Sequence, residues 1–371
     1  MPKIHVCYLV SSLCNEGPVN VMYNIIRYID FDKFKVSIIT FIPEKQNSRL
    51  EEFRQFPINI YQLGKDAKLT PWNLFFALKE KVKEINPDEL HAHCPRSLYL
   101  MCFLPKRYKR IYTIHIYPGL QQHMLYGKIK GSIVIALNNF FTRKCDLPIG
   151  CSESVGTQYK EEKGWDITCI PNGASLSVWD FDENEKSRLR NEFGLKHDIK
   201  YFIFIGRFSQ EKNPDILIEC FNNLRREDVG LIMLGQGPMW DTLKEKAGTN
   251  IIMPGFTTRV YDYLKASDFY ISASDVEGLA NTILESMSVG LPMLLSDIPS
   301  HREVLANIKD KAVGYIINNR NDNAIAEKIN QILDMDKNSA TQVLQELYHK
   351  KYRAKVMSLA YQEEYKKLIE K

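Results

Sequence analysis

The sequence predicts an α/β protein built from two doubly wound parallel sheets. Short runs rich in β-branched and aromatic residues alternate with helix-like segments over most of the 371 residues, as they do when helices connect parallel strands. Several of these runs are continuously apolar, which is typical of strands buried on both faces. The chain is also too long for one ordinary hydrophobic core, so two domains are expected.

Two series of candidate strands follow one another along the chain. The first series consists of residues 4–10, 35–42, 58–63, 89–94, 110–116, 146–152 and 167–171. The second series consists of residues 201–206, 230–235, 250–256, 268–274, 292–297 and 314–318. The helix-prone segments between them are expected to form the crossover connections of the two sheets.

The two series are separated by a polar, charged and helix-prone stretch around residues 174–200. We therefore expect one Rossmann-like domain over residues 1–180 and a second over residues 181–345. A C-terminal helix over residues 346–371 is expected to pack back towards the N-terminal domain. Because ligands of such sheets gather at the carboxyl ends of the strands, we expect the two domains to face a central cleft.

The composition fits a soluble globular protein, with 44% hydrophobic and 25% charged residues. No apolar run approaches the roughly 20 residues that a membrane span needs, and the N-terminal segment lacks the features of a signal peptide. The eight cysteines are scattered without zinc-site spacing. A reducing, cytoplasmic location is therefore expected.

The net charge of +4 is unevenly distributed along the chain. Residues 1–175 contain 23 Lys and Arg against 16 Asp and Glu, a net +7, whereas the remainder contains 26 against 29, a net −3. This difference is either ordinary surface variation or a face for an anionic partner, such as the inner surface of the cell membrane or a lipid-phosphate substrate. Residues 106–110 are the most concentrated basic stretch. Nucleic acid is not expected, since no recognised binding motif accompanies the charge.

Two cations and a glycine stand at expected strand ends. Arg207 and Lys212 follow a strand and precede a helix that begins near Pro214. An arginine fork and a lysine point charge at this place predict a diphosphate site. Gly17 follows the first strand, where it would let a ligand approach the backbone beside a helix N-terminus; a plain βα turn is the alternative.

The stretch "DVEGLANTILESMSVGLP" supplies two carboxylates at another strand end. Glu277 lies in the loop after the strand over 268–274, and Glu285 lies about one turn inside a helix that Asn281 is expected to cap. The free amides at this helix N-terminus would hold phosphate together with the two cations. The carboxylates would accept hydrogen bonds from sugar hydroxyls, so a nucleotide-sugar site is predicted.

The combination of "GRFSQEKN" and "GFTTRVYDYLKASDFYISASDVEGLANTILESMSVGLP" resembles the family 4 retaining glycosyltransferases of the GT-B fold, of the bacterial cell-surface polysaccharide type. "GCSES" and "IPNG" stand where that family has comparable segments. The resemblance covers nearly the whole chain. It implies that residues 1–180 form an acceptor domain and that residues 181–345 form a nucleotide-sugar donor domain.

The resemblance implies roles for ten residues of the donor domain. They are Arg207, Lys212, Gly255, Phe256, Glu277, Leu279, Ala280, Asn281, Thr282 and Glu285. Arg207 and Lys212 would contact the diphosphate, and Glu285 would hold the ribose hydroxyls. Glu277 and the amides of residues 279–282 would hold the transferred sugar and the β-phosphate, while residues 255–256 would lie near the base.

In the N-terminal domain the resemblance implies that His115 reaches the donor sugar, so His115 and Glu277 are the expected catalytic residues. Gly17 would lie under the diphosphate. Many family members have two adjacent glycines at that place, whereas here Glu16 precedes a single one.

No metal or other cofactor is expected. His91 and His93 share one face of a strand, but no carboxylate or thiolate cluster accompanies them, so a structural or acceptor-side role is favoured over metal binding. Three D-x-D pairs are expected to lie at helix ends or in the linker: Asp30/Asp32, Asp180/Asp182 and Asp334/Asp336. The cations and the helix N-terminus would neutralise the leaving diphosphate instead.

The expected function is metal-independent transfer of a hexose or N-acetylhexosamine, with retention, from a UDP-sugar in preference to a GDP-sugar. The acceptor would be a hydroxyl of a glycan or a lipid-linked glycan. A hydrolase would have no use for the two cations, and "GQGP" at 235–238 lacks the third glycine of a dinucleotide fingerprint. A non-catalytic sugar-nucleotide-binding subunit of the same fold is the main alternative.

Overall fold

The structure is a computed structural model that describes residues 2–64, 69–175, 183–306, 313–318 and 321–370. The chain divides into two compact units. The first consists of Met1–Ser175 with Arg353–Lys371, and the second of Leu176–Tyr352. Each unit contains one parallel sheet, which confirms the predicted α/β fold class. The boundary that we placed after residue 180 lies outside the described residues.

The strands lie where the two series predict them. They are β1 Ile4–Val10, β2 Phe34–Thr40, β3 Asn59–Gln62, β4 Glu89–Ala92, β5 Lys109–Ile114, β6 Leu147–Gly150, β7 Thr168–Cys169, β8 Lys200–Ile205, β9 Val229–Leu234, β10 Ile251–Gly255, β11 Phe269–Ser272, β12 Met293–Ser296 and β13 Gly314–Ile317. Burial is complete in β4, β9, β11 and β12, as expected of strands covered on both faces, whereas the edge strands β3, β7 and β13 are only partly buried.

Helices connect the strands. They are α1 Gly17–Arg27, α2 Leu50–Phe53, α3 Pro71–Ile85, α4 Pro95–Cys102, α5 Leu120–Thr142, α6 Glu153–Lys163, α7 Glu183–Phe193, α8 Pro214–Asn223, α9 Trp240–Lys246, α10 Val260–Ala266, α11 Asn281–Ser288, α12 Pro299–Ala306, α13 Asp322–Leu333, α14 Lys337–Leu347 and α15 Ala354–Glu370. Over the described ranges, none of these helices combines the length and the apolar character needed to cross a membrane.

In the first unit the strand order is β3-β2-β1-β4-β5-β6-β7. The order reverses between β1 and β4, which pair in parallel with Val6 opposite Glu89. In doubly wound sheets the loops at the carboxyl end of such a switch point form the ligand site. Gly17 follows β1, and His93 and His115 follow β4 and β5, so the sequence-predicted residues of this unit lie around that point.

In the second unit the strand order is β10-β9-β8-β11-β12-β13. The order reverses between β8 and β11, where Phe269 lies opposite Phe202 and the two rings stack with centroids 4.8 Å apart. These rings belong to the apolar core beneath the sheet. Because the core fixes both strands, the loops that leave their carboxyl ends start from a rigid base.

The C-terminal helix belongs to the first unit. It begins at Ala354 and not at residue 346 as predicted, because the backbone leaves the helical path there: the Ala354 amide donates to the carbonyl of Ala174 at 2.8 Å. A π-helical turn over Tyr348–Tyr352 separates it from α14. The helix α15 lies against α1, where the Ser358 hydroxyl donates to the Ile25 carbonyl at 2.7 Å.

Candidate functional site

The loops that follow β8 and β11 are tied to each other by two hydrogen bonds. The side-chain amide of Asn213 donates to the carbonyl of Ala273 at 3.0 Å, and the Asp275 amide donates to the Glu211 carbonyl at 2.9 Å. Asn213 is in the left-handed region with φ of +48°, a conformation that asparagine tolerates better than most residues. Its side chain therefore joins two loops at the N-terminus of α8 without capping that helix.

Lys212 and Glu277, one on each loop, form an ion pair. Their side chains are 23% and 13% exposed, so the pair is shielded from water on most sides but still accessible. The Glu277 carboxylate also accepts a hydrogen bond from the Ser274 hydroxyl at 3.1 Å. The fold therefore brings together a predicted phosphate-binding cation and a predicted sugar-binding carboxylate that are 65 residues apart in sequence.

The buried His301 supports the loop that carries Glu277. The sequence analysis did not identify this residue. Ser296, at the end of β12, donates its hydroxyl hydrogen to the Ser274 carbonyl at 2.5 Å. The Nδ1 of His301 lies 3.0 Å from the carbonyl oxygen of Ser296 and 3.1 Å from its hydroxyl. Because a carbonyl can only accept, the proton of the neutral ring lies on Nδ1.

Burial lowers the pKa of His301 to about 4, although the nearby Glu277 charge raises it. The ring is therefore neutral at physiological pH. Its Nε2 has no hydrogen-bond partner in the described part of the chain. Nδ1 of His301 therefore binds Ser296, Ser296 binds the carbonyl of Ser274, and the Ser274 hydroxyl binds the Glu277 carboxylate.

Glu285 lies in the second turn of α11, close to two tyrosines. Burial raises the pKa of Tyr261, and the charge of Glu285 raises it further. Burial likewise raises the pKa of Tyr270, to which the charges of Glu277 and Glu285 both add. Tyr270 therefore lies within electrostatic reach of both carboxylates, and its hydroxyl shares a 2.9 Å hydrogen bond with that of Thr282.

Asn281 is the first residue of α11 and not its cap. The position before it is occupied by Ala280, and no side chain caps the helix. The buried Oδ1 of Asn281 has no partner within the described ranges. Leu279 is buried, and Ala280 and Thr282 are partly buried. The predicted cap is therefore wrong, and the amides of the first turn lack the side-chain partner that was expected to take one of them.

The remaining residues predicted for this unit lie in the loops after β8 and β10. Arg207 is exposed. Gly255 has φ of +90°, and a Cβ there would lie 3.4 Å from the ring of Trp240, so glycine fits both the backbone and the packing. Phe256 beside it is 51% exposed.

Three histidines form a row in the first unit. The rings of His91 and His93 lie 4.3 Å apart, and Nδ1 of His93 is 3.2 Å from Nε2 of His115. Burial lowers the pKa of His115 to about 3 and that of His93 well below its usual value, so both rings are neutral. The pair therefore shares one proton and leaves Nδ1 of His115 outside that hydrogen bond.

Two tyrosines of α15 complete the hydrogen bonds around His91. The Tyr365 hydroxyl lies 2.8 Å from Nδ1 of His91, and the Thr113 hydroxyl lies 2.8 Å from its Nε2. Tyr361 bonds Thr113 at 2.9 Å. The fully buried His91 is thus a satisfied structural residue, which agrees with the role favoured from the sequence.

Gly17 opens α1, with Pro18 in its first turn. A Cβ at residue 17 would meet nothing within 4 Å. Packing within the fold therefore does not require a glycine there, and a βα turn alone does not explain the residue.

The D-x-D pairs lie at helix ends where the structure describes them. Asp30 follows α1 and pairs with Lys33. Asp334 and Asp336 lie between α13 and α14, and Asp336 caps α14 through the Ser339 amide at 3.2 Å. The pair at 180 and 182 lies outside the described residues. No cluster of three or more potential metal ligands occurs among the residues described.

Two family models match the chain. The model described as "Glycosyltransferase Family 4" matches residues 16–178, and the model described as "Glycosyl transferases group 1" matches residues 185–347. The first match lies in the unit of the histidine row, and the second covers the loops of the Lys212–Glu277 pair.

The chain is also similar to curated bacterial enzymes. It is 28% identical over 291 residues to an alpha-monoglucosyldiacylglycerol synthase of Streptococcus pneumoniae, a match that covers 72% of this chain and 65% of that protein. It is 30% identical over 162 residues to the UDP-Gal:alpha-D-GlcNAc-diphosphoundecaprenol alpha-1,3-galactosyltransferase of Escherichia coli, which covers 41% of each chain. The chain thus spans less than two thirds of the length of these relatives.

Solved structures share the fold over almost the full length. The Anabaena protein HepE, in complex with UDP and glucose, superposes with a TM-score of 0.79 at 17% identity, covering 96% of this chain and 98% of that one. The Staphylococcus aureus protein TarM gives a TM-score of 0.76 at 15% identity, covering 98% and 100%. Fold and family models together define a glycosyltransferase of the GT-B type. The chain belongs to glycosyltransferase family 4.

Proposed function

We propose that the chain transfers a hexose or N-acetylhexosamine from a nucleoside-diphosphate sugar to a hydroxyl of a glycan or lipid-linked acceptor, with retention of the anomeric configuration. The observation that carries the proposal is the joining of the β8 and β11 loops at the switch point of the second sheet. There Lys212 contacts Glu277, so a cation for phosphate and a carboxylate for sugar hydroxyls lie side by side.

The donor is assigned by charge and by geometry. Lys212, the exposed Arg207 and the first-turn amides of α11 would hold the diphosphate. Glu285, one turn further into α11, would accept hydrogen bonds from the ribose. Glu277 would hold the transferred sugar. Relatives and neighbours whose names contain UDP support a UDP-sugar over a GDP-sugar.

The transfer step needs no metal in this proposal. The acceptor hydroxyl oxygen forms a bond to the anomeric carbon from the face that the diphosphate leaves, while the bond from that carbon to the β-phosphate oxygen breaks. The acceptor proton passes to the departing phosphate, whose charge the cations and the helix N-terminus stabilise. Neither glutamate forms a covalent intermediate.

Residues of the first unit take roles that the resemblance suggests. His115 would accept or donate a hydrogen bond at the donor sugar through Nδ1, because Nε2 is held by His93. Gly17 would lie under the diphosphate, which its open surroundings support. Acceptors named for the relatives are lipid-linked, so we propose a cytoplasmic protein that works at the inner face of the cell membrane in cell-surface polysaccharide synthesis.

A division of labour between the two glutamates tests the proposal. Glu285→Gln should weaken binding of free UDP and of UDP-sugar alike, because its contact is to the nucleotide. Glu277→Gln should leave UDP affinity nearly intact and lower the rate of sugar transfer, because its contact matters as charge develops on the sugar.

The experiment begins with a thermal-shift screen of sugar nucleotides. Titration of UDP and single-turnover transfer of the selected donor then follow for both variants. Loss of UDP affinity in Glu277→Gln as large as that in Glu285→Gln contradicts the assignment. Tight donor binding without any turnover in the wild type would instead favour the non-catalytic binding subunit.

A further inference from the structure

The second half of α5 presents its large apolar side chains to solvent. Helix α5 bends at Gly127, whose φ is +74°. Beyond the bend, Ile129 is 81% exposed, Ile133 56%, Leu137 41% and Phe140 56%. Spacings of three and four residues put these four side chains on one face. The buried positions of the same segment are Gly131, Asn138 and Thr142, so its polarity is the reverse of a normal surface helix.

Aromatic residues extend this face beyond α5. Phe103 is 65% exposed, and its ring lies 5.6 Å from that of Phe141 on α5. On its other side Phe103 contacts Phe75 of α3 at 6.3 Å, and Phe75 contacts the 57% exposed Phe76 at 5.8 Å. We call Ile129, Ile133, Leu137, Phe140, Phe103 and Phe76 the apolar face. A contiguous patch of this kind on a water-soluble surface marks an interaction site.

Along α5 and the segment after Phe103, the charges that border the apolar face are positive. Residues 120–142 include Lys128 and Lys130 and no Asp or Glu. Lys144, at the end of the helix, lies 5.2 Å from the Phe140 ring centroid. Lys106 and Arg107 are exposed in the segment that follows Phe103. An apolar stripe of aliphatic and aromatic residues with basic neighbours is the pattern of a helix that lies in a membrane interface.

Not all of the basic stretch at residues 106–110 belongs to a charged surface. Arg110 is only 6% exposed and donates to the Leu104 carbonyl at 2.6 Å. It is a structural residue of β5 and not part of a charged surface. The available cations of this region are therefore those around the apolar face.

We propose that the apolar face is the surface by which this protein docks on a bilayer containing anionic lipids. The inference rests on the proposed function, which places the acceptor at a membrane. The positive charge around the apolar face favours an anionic bilayer over a second copy of the chain. A two-fold dimer would bring the same patch of both copies together and oppose lysine to lysine. An anionic bilayer satisfies the apolar side chains and the cations at once.

Vesicle co-sedimentation tests the proposal. The wild-type protein should bind vesicles of phosphatidylcholine with phosphatidylglycerol better than vesicles of phosphatidylcholine alone. Ile133→Gln with Leu137→Gln should reduce binding to both kinds by about tenfold or more, because two aliphatic side chains no longer enter the interface. Lys128→Gln with Lys130→Gln should reduce binding by about tenfold only on the anionic vesicles at low salt.

A matched control uses two exposed aliphatic residues of the first unit that lie outside the apolar face. Val356 and Leu359 on α15 are 38% and 50% exposed, so Val356→Gln with Leu359→Gln should leave vesicle binding unchanged. The folding of every variant is checked by its thermal transition and by its response to UDP, whose proposed site is in the second unit. If the protein binds vesicles but does not respond to UDP, the proposed function fails and this inference stands.

Several outcomes overturn the inference. Wild-type protein that does not bind anionic vesicles contradicts it, as does equal binding by the wild type and by Ile133→Gln with Leu137→Gln. Sedimentation velocity without lipid gives the last comparison. A wild-type dimer that the same substitutions dissociate would assign the apolar face to a second copy of the chain.

Discussion

Replacing Lys212 with alanine should do more than remove one phosphate contact. In the wild type, Glu277 has Lys212 and the Ser274 hydroxyl as polar contacts. Without Lys212, a carboxylate with only 13% of its side chain exposed would face the incoming diphosphate unpaired. Exposed ion pairs contribute about 0–1 kcal/mol, whereas breaking a buried pair costs about 3–5 kcal/mol. For this half-buried pair we expect donor affinity to fall by about 2 kcal/mol, or roughly thirtyfold.

A double-mutant cycle separates the two effects. Glu277→Gln removes the repelling charge, so Lys212→Ala should cost less in the Glu277→Gln background, with a coupling energy of about 1 kcal/mol. Calorimetric titration with UDP-sugar measures each corner of the cycle. Arg207→Ala is the matched control, because the ion pair of Glu277 is formed by Lys212 and not by the exposed Arg207, so the Arg207 cycle should be additive within about 0.5 kcal/mol. Additivity for Lys212 as well would refute the reasoning.

Three further predictions follow from the geometry. His301→Ala should lower turnover about tenfold while UDP affinity is kept, and His301→Gln should recover part of it, because an amide can still donate to the Ser296 carbonyl; equal turnover in wild type and alanine variant contradicts this. Burial raises the pKa of Glu89 to about 9, so the folded state holds a proton that the unfolded state releases above about pH 4.3. The contribution of Glu89 to stability should therefore fall as pH rises from 5 to 9, by at most about 1.4 kcal/mol per pH unit. Buried histidines with lowered pKa values, such as His115 and His301, oppose this fall only below about pH 6.5. Between pH 7 and 9, denaturant titrations should therefore show a smaller fall in stability for Glu89→Gln than for the wild type. Transfer should also persist in excess EDTA, and activity that manganese or magnesium restores after chelation would argue against the metal-independent mechanism.

The positions of the strands could be predicted from local sequence because their cause is local. Runs such as "YFIFIG" are apolar on both faces, and only a strand covered on both sides buries such a run in so few residues. Gly17, Lys212 and Glu277 could be placed near a switch point because each follows a predicted strand. Parallel strands end at one edge, so residues after neighbouring strands meet there.

The contacts within the site could not be predicted, because they depend on which strands are neighbours. Lys212 meets Glu277 only because β8 pairs with β11 and because two hydrogen bonds, one from the Asn213 side chain and one from the Asp275 backbone amide, tie the loops. The support from His301 gave no signal in the sequence, where it is one of eight histidines. Local propensity also misplaced the cap of α11, since asparagine is favoured at the cap, yet Ala280 occupies that position and Asn281 is the first residue of the helix.

Helix α5 shows a different limit of sequence reasoning. A run such as "IVIAL" is expected in a core, yet Ile133 and Leu137 are exposed while Asn138 is buried. Asn138 is held inside by the Tyr99 hydroxyl, which donates to its Oδ1 at 2.5 Å. Hydrophobicity alone cannot distinguish a side chain that the core buries from one that a partner covers.

The most direct test of the central claim is to follow the anomeric signals of donor and product by NMR while the protein acts on a lipid-linked glycan in anionic vesicles. UDP-glucose and UDP-N-acetylglucosamine serve as the two donors. We predict that one donor is consumed, that free UDP appears in equal amount, and that the new glycosidic bond keeps the α-configuration of the donor. A product with inverted configuration, or a donor that binds and is never consumed, would contradict the account.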